Sequence, residues 1–198
     1  MKIGVLALQG DFLNHFAVLT QLGVDPILIK SSRDLAAIEG IVIPGGESTT
    51  ISKLLISSGI YHPLKELLDN GLAGFGTCAG MILLSKVILD GRSDQVALSS
   101  IDISVRRNGF GRQIASFETD INVEGIAGGP MRAAFIRAPV VEEVGSSVEI
   151  LSSVEYRFPD SSTREVPVIC RERNILVCSF HPEIVGDDRL HRLFLDIC

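Results

Sequence analysis

Gly76-Thr77-Cys78-Ala79-Gly80 joins the apolar run Leu72 to Phe75 to the apolar run Met81 to Leu84, and so sets one thiol in a small-residue turn between a strand and a helix. A turn that sharp brings backbones together and strains its central residue, which is why glycines flank the nucleophile in the G-x-S-x-G elbow. Here cysteine stands at the centre, where the positive end of the helix dipole favours a thiolate. The same five residues equally describe a small thiol packed in a tight turn, because free cysteine is among the most buried residue types. A cysteine nucleophile needs a base, and four histidines are available: His15, His62, His181 and His191. His15 falls in the first helical segment and His191 in the last, where a packed or solvated ring is the ordinary outcome. His62 precedes Pro63 in a turn. His181 ends the run Leu176 to Phe180, and Pro182 biases it toward extended geometry. Residues i and i+2 of an extended segment share a face, so Glu183 is placed to orient His181, completing a nucleophile, base and orienter set. Alone, His181-Pro182-Glu183 also reads as a turn with a surface glutamate. A third segment, Pro44-Gly45-Gly46-Glu47-Ser48-Thr49-Thr50, leads from a strand into a helix and offers glycine N–H groups to an anion or a developing oxyanion. No G-x-x-x-x-G-K-S/T phosphate loop is present, and Ser48 or Thr49 is expected to cap the helix.

These segments need a scaffold that brings them together. Strand-like and helix-like runs alternate through the first half: Ile3 to Leu8, Phe12 to Leu22, Ile27 to Lys30, Leu35 to Ile38 and Ile41 to Ile43, then helices over Ser48 to Ser57 and Pro63 to Asn70. The strand Leu72 to Gly76 and a helix over Ala79 to Leu89 follow. Short apolar strands bounded by glycine or proline predict a parallel sheet covered on both faces. Beyond residue 98 the texture turns β-branched and turn-punctuated, with strands expected over Ile101 to Val105, Ile114 to Val123, Arg132 to Ile136, Val148 to Val154, Val166 to Cys170 and Ile175 to Phe180, largely antiparallel. A terminal helix over Asp187 to Ile197 takes Asp187 or Asp188 as its cap. Ligands of open α/β sheets bind beyond the carboxyl ends of the strands. Pro44 to Thr50, Gly76 to Gly80 and His181 to Glu183 are therefore expected on one rim.

Composition narrows the function classes. A chain of 198 residues with 46% hydrophobic content fits one globular domain, 1–198. A formal charge of -6 argues against a phosphate-backbone binder, so no nucleic acid partner is expected. The apolar run Ile3 to Leu8 stops at Gln9-Gly10-Asp11, too early for a secretory leader, and no stretch reaches the ~20 apolar residues that span a bilayer, so no membrane association is expected. Cys78, Cys170, Cys178 and Cys198 form no C-x-x-C pair. Neither a zinc site nor a disulfide framework is suggested, which fits a reducing cytoplasm. Cys170 and Cys178 read as core thiols on neighbouring strands.

The cysteine elbow, the His-x-Glu pair and the Gly-Gly strand end, in this order, resemble a class I (triad) glutamine amidotransferase. Six strings narrow the resemblance: Leu6 to Gly10, Pro44 to Thr50, Phe75 to Gly80, Arg107 to Gln113, Phe135 to Pro139 and Ser179 to Glu183. Together they are similar to the glutaminase subunits of pyridoxal 5'-phosphate synthase, the PdxT/SNO family. The resemblance implies a flavodoxin-like α/β fold, with a central mixed, mostly parallel sheet flanked by helices and an antiparallel extension in the second half. It implies Cys78 as nucleophile, His181 as base and Glu183 as orienter, with oxyanion-hole amides from Gly46 and Ala79. L-Glutamine contacts would fall on Gly46, Glu47, Ser48, Arg107, Ile136 and Arg137, and the Arg107 guanidinium suits the α-carboxylate. Gln9 would face a synthase subunit of the PdxS/SNZ type in a large heteromeric complex, and no cofactor is implied. A glutaminase of another pathway, such as histidine biosynthesis, and a silent binding module on the same fold are the alternatives; Gln9-Gly10 and Phe110 to Gln113 speak against the first and the intact triad against the second. Two departures stand out: Gly109 replaces a small polar residue, and Glu155 to Arg164 reads as a longer loop than the family carries.

Overall fold

The computed structural model describes residues 1–107, 109–110, 116–158 and 160–198. Asn108, Gly111, Arg112 and Gln113 of the Arg107 to Gln113 string, Ile114 and Ala115 of the expected strand Ile114 to Val123, and Pro159 lie outside the described residues.

The first half builds β1 (Lys2–Leu6), α1 (Phe12–Gln21), β2 (Asp25–Ile29), a 3-10 turn (Ser32–Ala37), β3 (Gly40–Ile43), α2 (Ser48–Ser57), α3 (Tyr61–Asp69), β4 (Ala73–Thr77) and α4 (Ala79–Leu84). The second half adds β5 (Ser85–Ile88), β6 (Ile101–Arg106), β7 (Ser116–Ile121), β8 (Met131–Ile136), β9 (Val140–Val144), β10 (Glu149–Arg157), β11 (Thr163–Glu172), β12 (Ile175–Cys178) and α5 (Arg189–Ile197). The main sheet has the order β10-β11-β12-β4-β3-β1-β2. From β12 to β2 every pairing is parallel, while β10 and β11 join antiparallel. The mixed, mostly parallel sheet is thus present, and its antiparallel part is continuous with it. Two small sheets, β5-β6-β9 and β7-β8, stand apart.

Both faces of the parallel part of the main sheet are covered, so its strands are largely apolar at successive positions and divide their side chains by pleat. Ile3, Val5, Val42, Phe75 and Leu176 face one core with Leu19 of α1 and Phe194 of α5. Leu6, Ile41, Ile43 and Val177 face the other with α2, α3 and α4. Register aligns the strand ends: Ile43 lies beside Gly76, and Thr77 beside Cys178. The segments after β3, β4 and β12 therefore share one rim, as the sequence predicts.

Several expectations need correction. The helix after the cysteine ends at Leu84 rather than Leu89, because Ser85 to Ile88 pair with β6. β9 was not foreseen; it pairs antiparallel with β6. The segment Glu155 to Arg164 is mostly not loop: β10 and β11 extend through it, with Tyr156 opposite Arg164 and Arg157 opposite Thr163. Phe158 stacks under the Arg164 guanidinium at 4.2 Å, an attraction that rewards the longer hairpin. His62 lies in the first turn of α3, since a proline is tolerated there. The cap of α2 is Glu47 rather than Ser48 or Thr49: its carboxylate accepts the N–H groups of Thr49 and Thr50 at 3.2 and 2.7 Å. At α5, Asp188 occupies the cap position, but its carboxylate pairs with Arg192, and Asp187 takes the Arg189 N–H at 3.1 Å.

Candidate active site

Cys78 sits between β4 and α4 with φ of 49° and ψ of -102°. A non-glycine residue held there costs on the order of 1–3 kcal/mol and persists where its surroundings over-determine it. Here they do. The Cys78 N–H is tied to the Cys178 carbonyl at 2.8 Å, and α4 lies so close to its neighbours that a methyl group on Gly80 would overlap the Ile43 carbonyl. A methyl group on Gly76 would fall 2.7 Å from the Gly80 carbonyl. The two flanking glycines thus permit close approach. The strained residue is the cysteine itself, as the elbow reading requires.

His181 and Glu183 follow β12. The His181 N–H donates to the Ala134 carbonyl of β8 at 3.1 Å, which holds the ring over the sheet end. Its Nδ1 lies 2.7 Å from Glu183 Oε1. The pairing comes from a turn, in which the Ile184 N–H reaches back to the His181 carbonyl at 3.4 Å, and not from the pleat of an extended strand. Burial opposes a charge on His181, yet its bonding to Cys78 and to Glu183 outweighs that and raises the imidazole to about 10. The ring packs against Gly45 so closely that a methyl group there would overlap Cε1.

A cleft of about 350 Å³ opens over these groups, lined by Gln9, Gly46, Glu47, Ser48, Cys78, Arg107, Ile136, Arg137 and His181, among others. The triad candidates and most of the predicted binding residues therefore converge. Two do not line it: Ala79 is buried as the first residue of α4, and Glu183 is buried behind His181. Arg107 reaches it from the end of β6, with Nη1 2.9 Å from Thr49 Oγ1 and 3.0 Å from Gln95 Oε1. Its Nη2 lies 3.5 Å from Glu47 Oε1. Arg107 is thus a held side chain, whereas its neighbour Arg106 pairs with Glu142 outside the cleft. Arg137, like Cys78, has a positive φ, 47°. Gln9 is tied inward, its Oε1 accepting the Glu47 N–H at 2.8 Å beside Gly46.

Sequence reasoning missed the groups behind the triad. His15 is fully buried on the inner face of α1, with Nε2 3.1 Å from Thr77 Oγ1 and 3.4 Å from Glu183 Oε2. Its Nδ1 lies 2.9 Å from His191 Nε2. Gln95, which braces Arg107, was missed as well. The spacing of His15 and Leu19, one helical turn apart, marks an inward face, but nothing in the sequence says which strand end that face meets.

Residues 5–198 match the model of the SNO glutamine amidotransferase family. The pyridoxal 5'-phosphate synthase subunit PdxT of Rhodococcus opacus (strain B4) is 52% identical over 195 residues, covering 98% of this chain and 96% of that protein. The protein of the same name from Nocardia farcinica (strain IFM 10152) is 51% identical over 195 residues, covering 98% and 84%. A crystal structure of a glutamine amidotransferase superposes with a TM-score of 0.87 at 42% identity, over 98% of this chain and 97% of that one. The expected class I amidotransferase fold agrees with this neighbour.

Proposed function

This chain belongs to the SNO glutamine amidotransferase family, and from that premise we propose that it hydrolyses L-glutamine to L-glutamate and ammonia as the glutaminase subunit of a pyridoxal 5'-phosphate synthase. The observation that carries the reading is the strained Cys78 beside the 2.7 Å His181–Glu183 pair in a cleft sized for an amino acid. In this reading the Cys78 sulfur attacks the side-chain carboxamide of glutamine, and the oxyanion that forms takes N–H donors from Gly46 and Ala79. Collapse of the tetrahedral adduct breaks the C–N bond, and imidazolium His181 gives its proton to the departing ammonia. His181, now neutral, takes a proton from water, whose hydroxyl adds to the thioester and releases glutamate. Glu183 keeps Nδ1–H of the ring pointed at itself, so that Nε2 handles the transferred proton.

Arg107 serves the α-carboxylate, because a guanidinium already braced by Thr49 and Gln95 loses little freedom on binding. Ile136, Arg137, Glu47 and Ser48 shape the rest of the pocket, although the Glu47 carboxylate is largely engaged in capping α2. The whole chain acts as a single glutaminase domain and passes ammonia to a PdxS/SNZ-type synthase subunit in a heteromeric complex, with Gln9 at the contact. Four free thiols suit a reducing cytoplasm.

The test measures glutamate release from glutamine by the purified chain, with and without a candidate synthase subunit, beside the Cys78→Ala variant. Release by the wild type and none by the variant supports the reading. Equal release by both, or none by the wild type even with its partner, overturns it.

A further inference from the structure

The buried polar atoms behind Glu183 form a chain with an assignable direction. Glu183 Oε1 faces His181, whereas Oε2 is buried and has no hydrogen bond of good geometry among the described residues; His15 Nε2 lies 3.4 Å from it. His15 Nδ1 meets His191 Nε2 at 2.9 Å, and His191 Nδ1 is buried without a partner among the described residues. Each ring is neutral: burial, then the nearby His191 and His181, lower the proton affinity of His15, and burial takes His191 to about 4 against the pull of Asp188. A neutral imidazole carries one N–H, so only two arrangements fit the His15–His191 contact.

In one, His15 donates from Nδ1. The bare Nε2 then accepts the Thr77 hydroxyl, Oε2 is left facing a lone pair with no donor, and the proton on His191 is left on Nδ1 as an orphan donor. In the other, His191 donates from Nε2 and His15 carries its proton on Nε2, aimed between Thr77 Oγ1 and Glu183 Oε2. The second leaves a lone pair on His191 Nδ1 unfilled and frees the Thr77 hydroxyl proton, whereas the first leaves the His191 N–H unmade and the charged Oε2 facing a lone pair with no donor. Unmade donors and unpaired buried acceptors of charge are the costlier faults.

We propose that His15 is a positioning residue of the glutaminase site: as the Nε2–H tautomer, fixed by His191, it supplies the N–H donor to the second oxygen of Glu183 and so holds the first on His181. Thr77 is the hinge of the arrangement, since its hydroxyl also accepts the Gly45 N–H at 3.1 Å, next to the His181 ring. The elbow, the oxyanion strand end and the orienting carboxylate are tied together through α1.

The role rests on the glutaminase reading, and two measurements separate them. Nitrogen-15 spectra of the histidine rings in the whole wild-type chain at neutral pH read the tautomer without turnover; an Nε2–H ring for His15 is expected, and an Nδ1–H or charged ring overturns the proposal even where the wild type is active. Turnover with the synthase subunit is then compared for His15→Leu and His15→Gln. The leucine variant is expected to lose kcat by roughly tenfold to hundredfold, as for other misaligned triads. Its KM should stay within about twofold, since substrate contacts are untouched. The glutamine variant, which offers an N–H donor of similar reach, is expected to recover most of kcat. A leucine variant with unchanged kcat, or equal losses in both variants when both are folded, overturns the role; a silent wild type sinks the glutaminase reading instead.

Discussion

His181 is the residue of the cleft on which pH acts most directly. The imidazole of His181 is raised from 6.5 to about 10 in the fold, so its pairing stabilises the native state fully below about 6.5, and that contribution is lost as pH rises through about 10. In the proposed mechanism the same proton serves the leaving ammonia. The alkaline limb of kcat/KM is therefore expected near pH 10, and Glu183→Gln should move it to lower pH, because one of the two groups that raise His181 is removed; a limb unmoved in that variant would count against the assignment. At this scale the sequence was legible. Cys78, His181 and Glu183 each stood out as candidates by their neighbours in the chain, because turn glycines and a following proline act locally, but only together did they favour a site over a packed thiol and a surface turn. His15 was not, since its meaning depends on Thr77 and Glu183, which are remote in sequence.

Elements decide how closely these residues approach. Gly45 has no room for a methyl group against His181, and the α4 backbone is pressed onto β3. Gly45→Ala is expected to displace the His181 ring and cut kcat by roughly a hundredfold for a shift near an ångström, with a stability loss of only about 1–3 kcal/mol. Parallel activity and urea-melt measurements check the split. The parallel strands at the centre of the main sheet were readable because double-sided burial makes them short and largely apolar. The early end of α4 and the existence of β9 were not, because both follow from pairing with β6 rather than from local propensity. Similarly, Glu47 displaced Ser48 as cap because a carboxylate can accept two N–H groups at once.

At the scale of the whole molecule, α1 and α5 close one face of the sheet around two buried histidines, and Phe75 walls them in, edge-on to His191 at 5.4 Å. Both rings are held below their ordinary proton affinity. The unfolded chain thus binds more protons as pH falls below about 6.5, and stability drains until His191 itself protonates near pH 4. Thermal melts between pH 6.5 and 4 should fall more steeply for the wild type than for His191→Phe; parallel curves would refute this account. Gln9 belongs to the same scale, since it joins the rim to the Gly45-Gly46 strand end through Glu47 N–H. Gln9→Ala is expected to weaken complex formation or partner-stimulated turnover, checked by sedimentation and glutamate release with the synthase subunit; unchanged binding and turnover would exclude Gln9 from the contact.

The sequence by itself determined the α/β alternation, the elbow, and the residues that meet at its rim, because backbone sterics and hydrophobic period act over a few residues. Tertiary structure alone decided that α1 and α5 meet behind the triad and that Arg107 is braced by Gln95. It also decided that the second oxygen of Glu183 looks at a histidine 168 positions earlier in the chain, where His15 and Glu183 share a buried contact. The reason is that the cost of an unpartnered polar atom is set by burial, and burial is a property of the packed layers and not of any short segment.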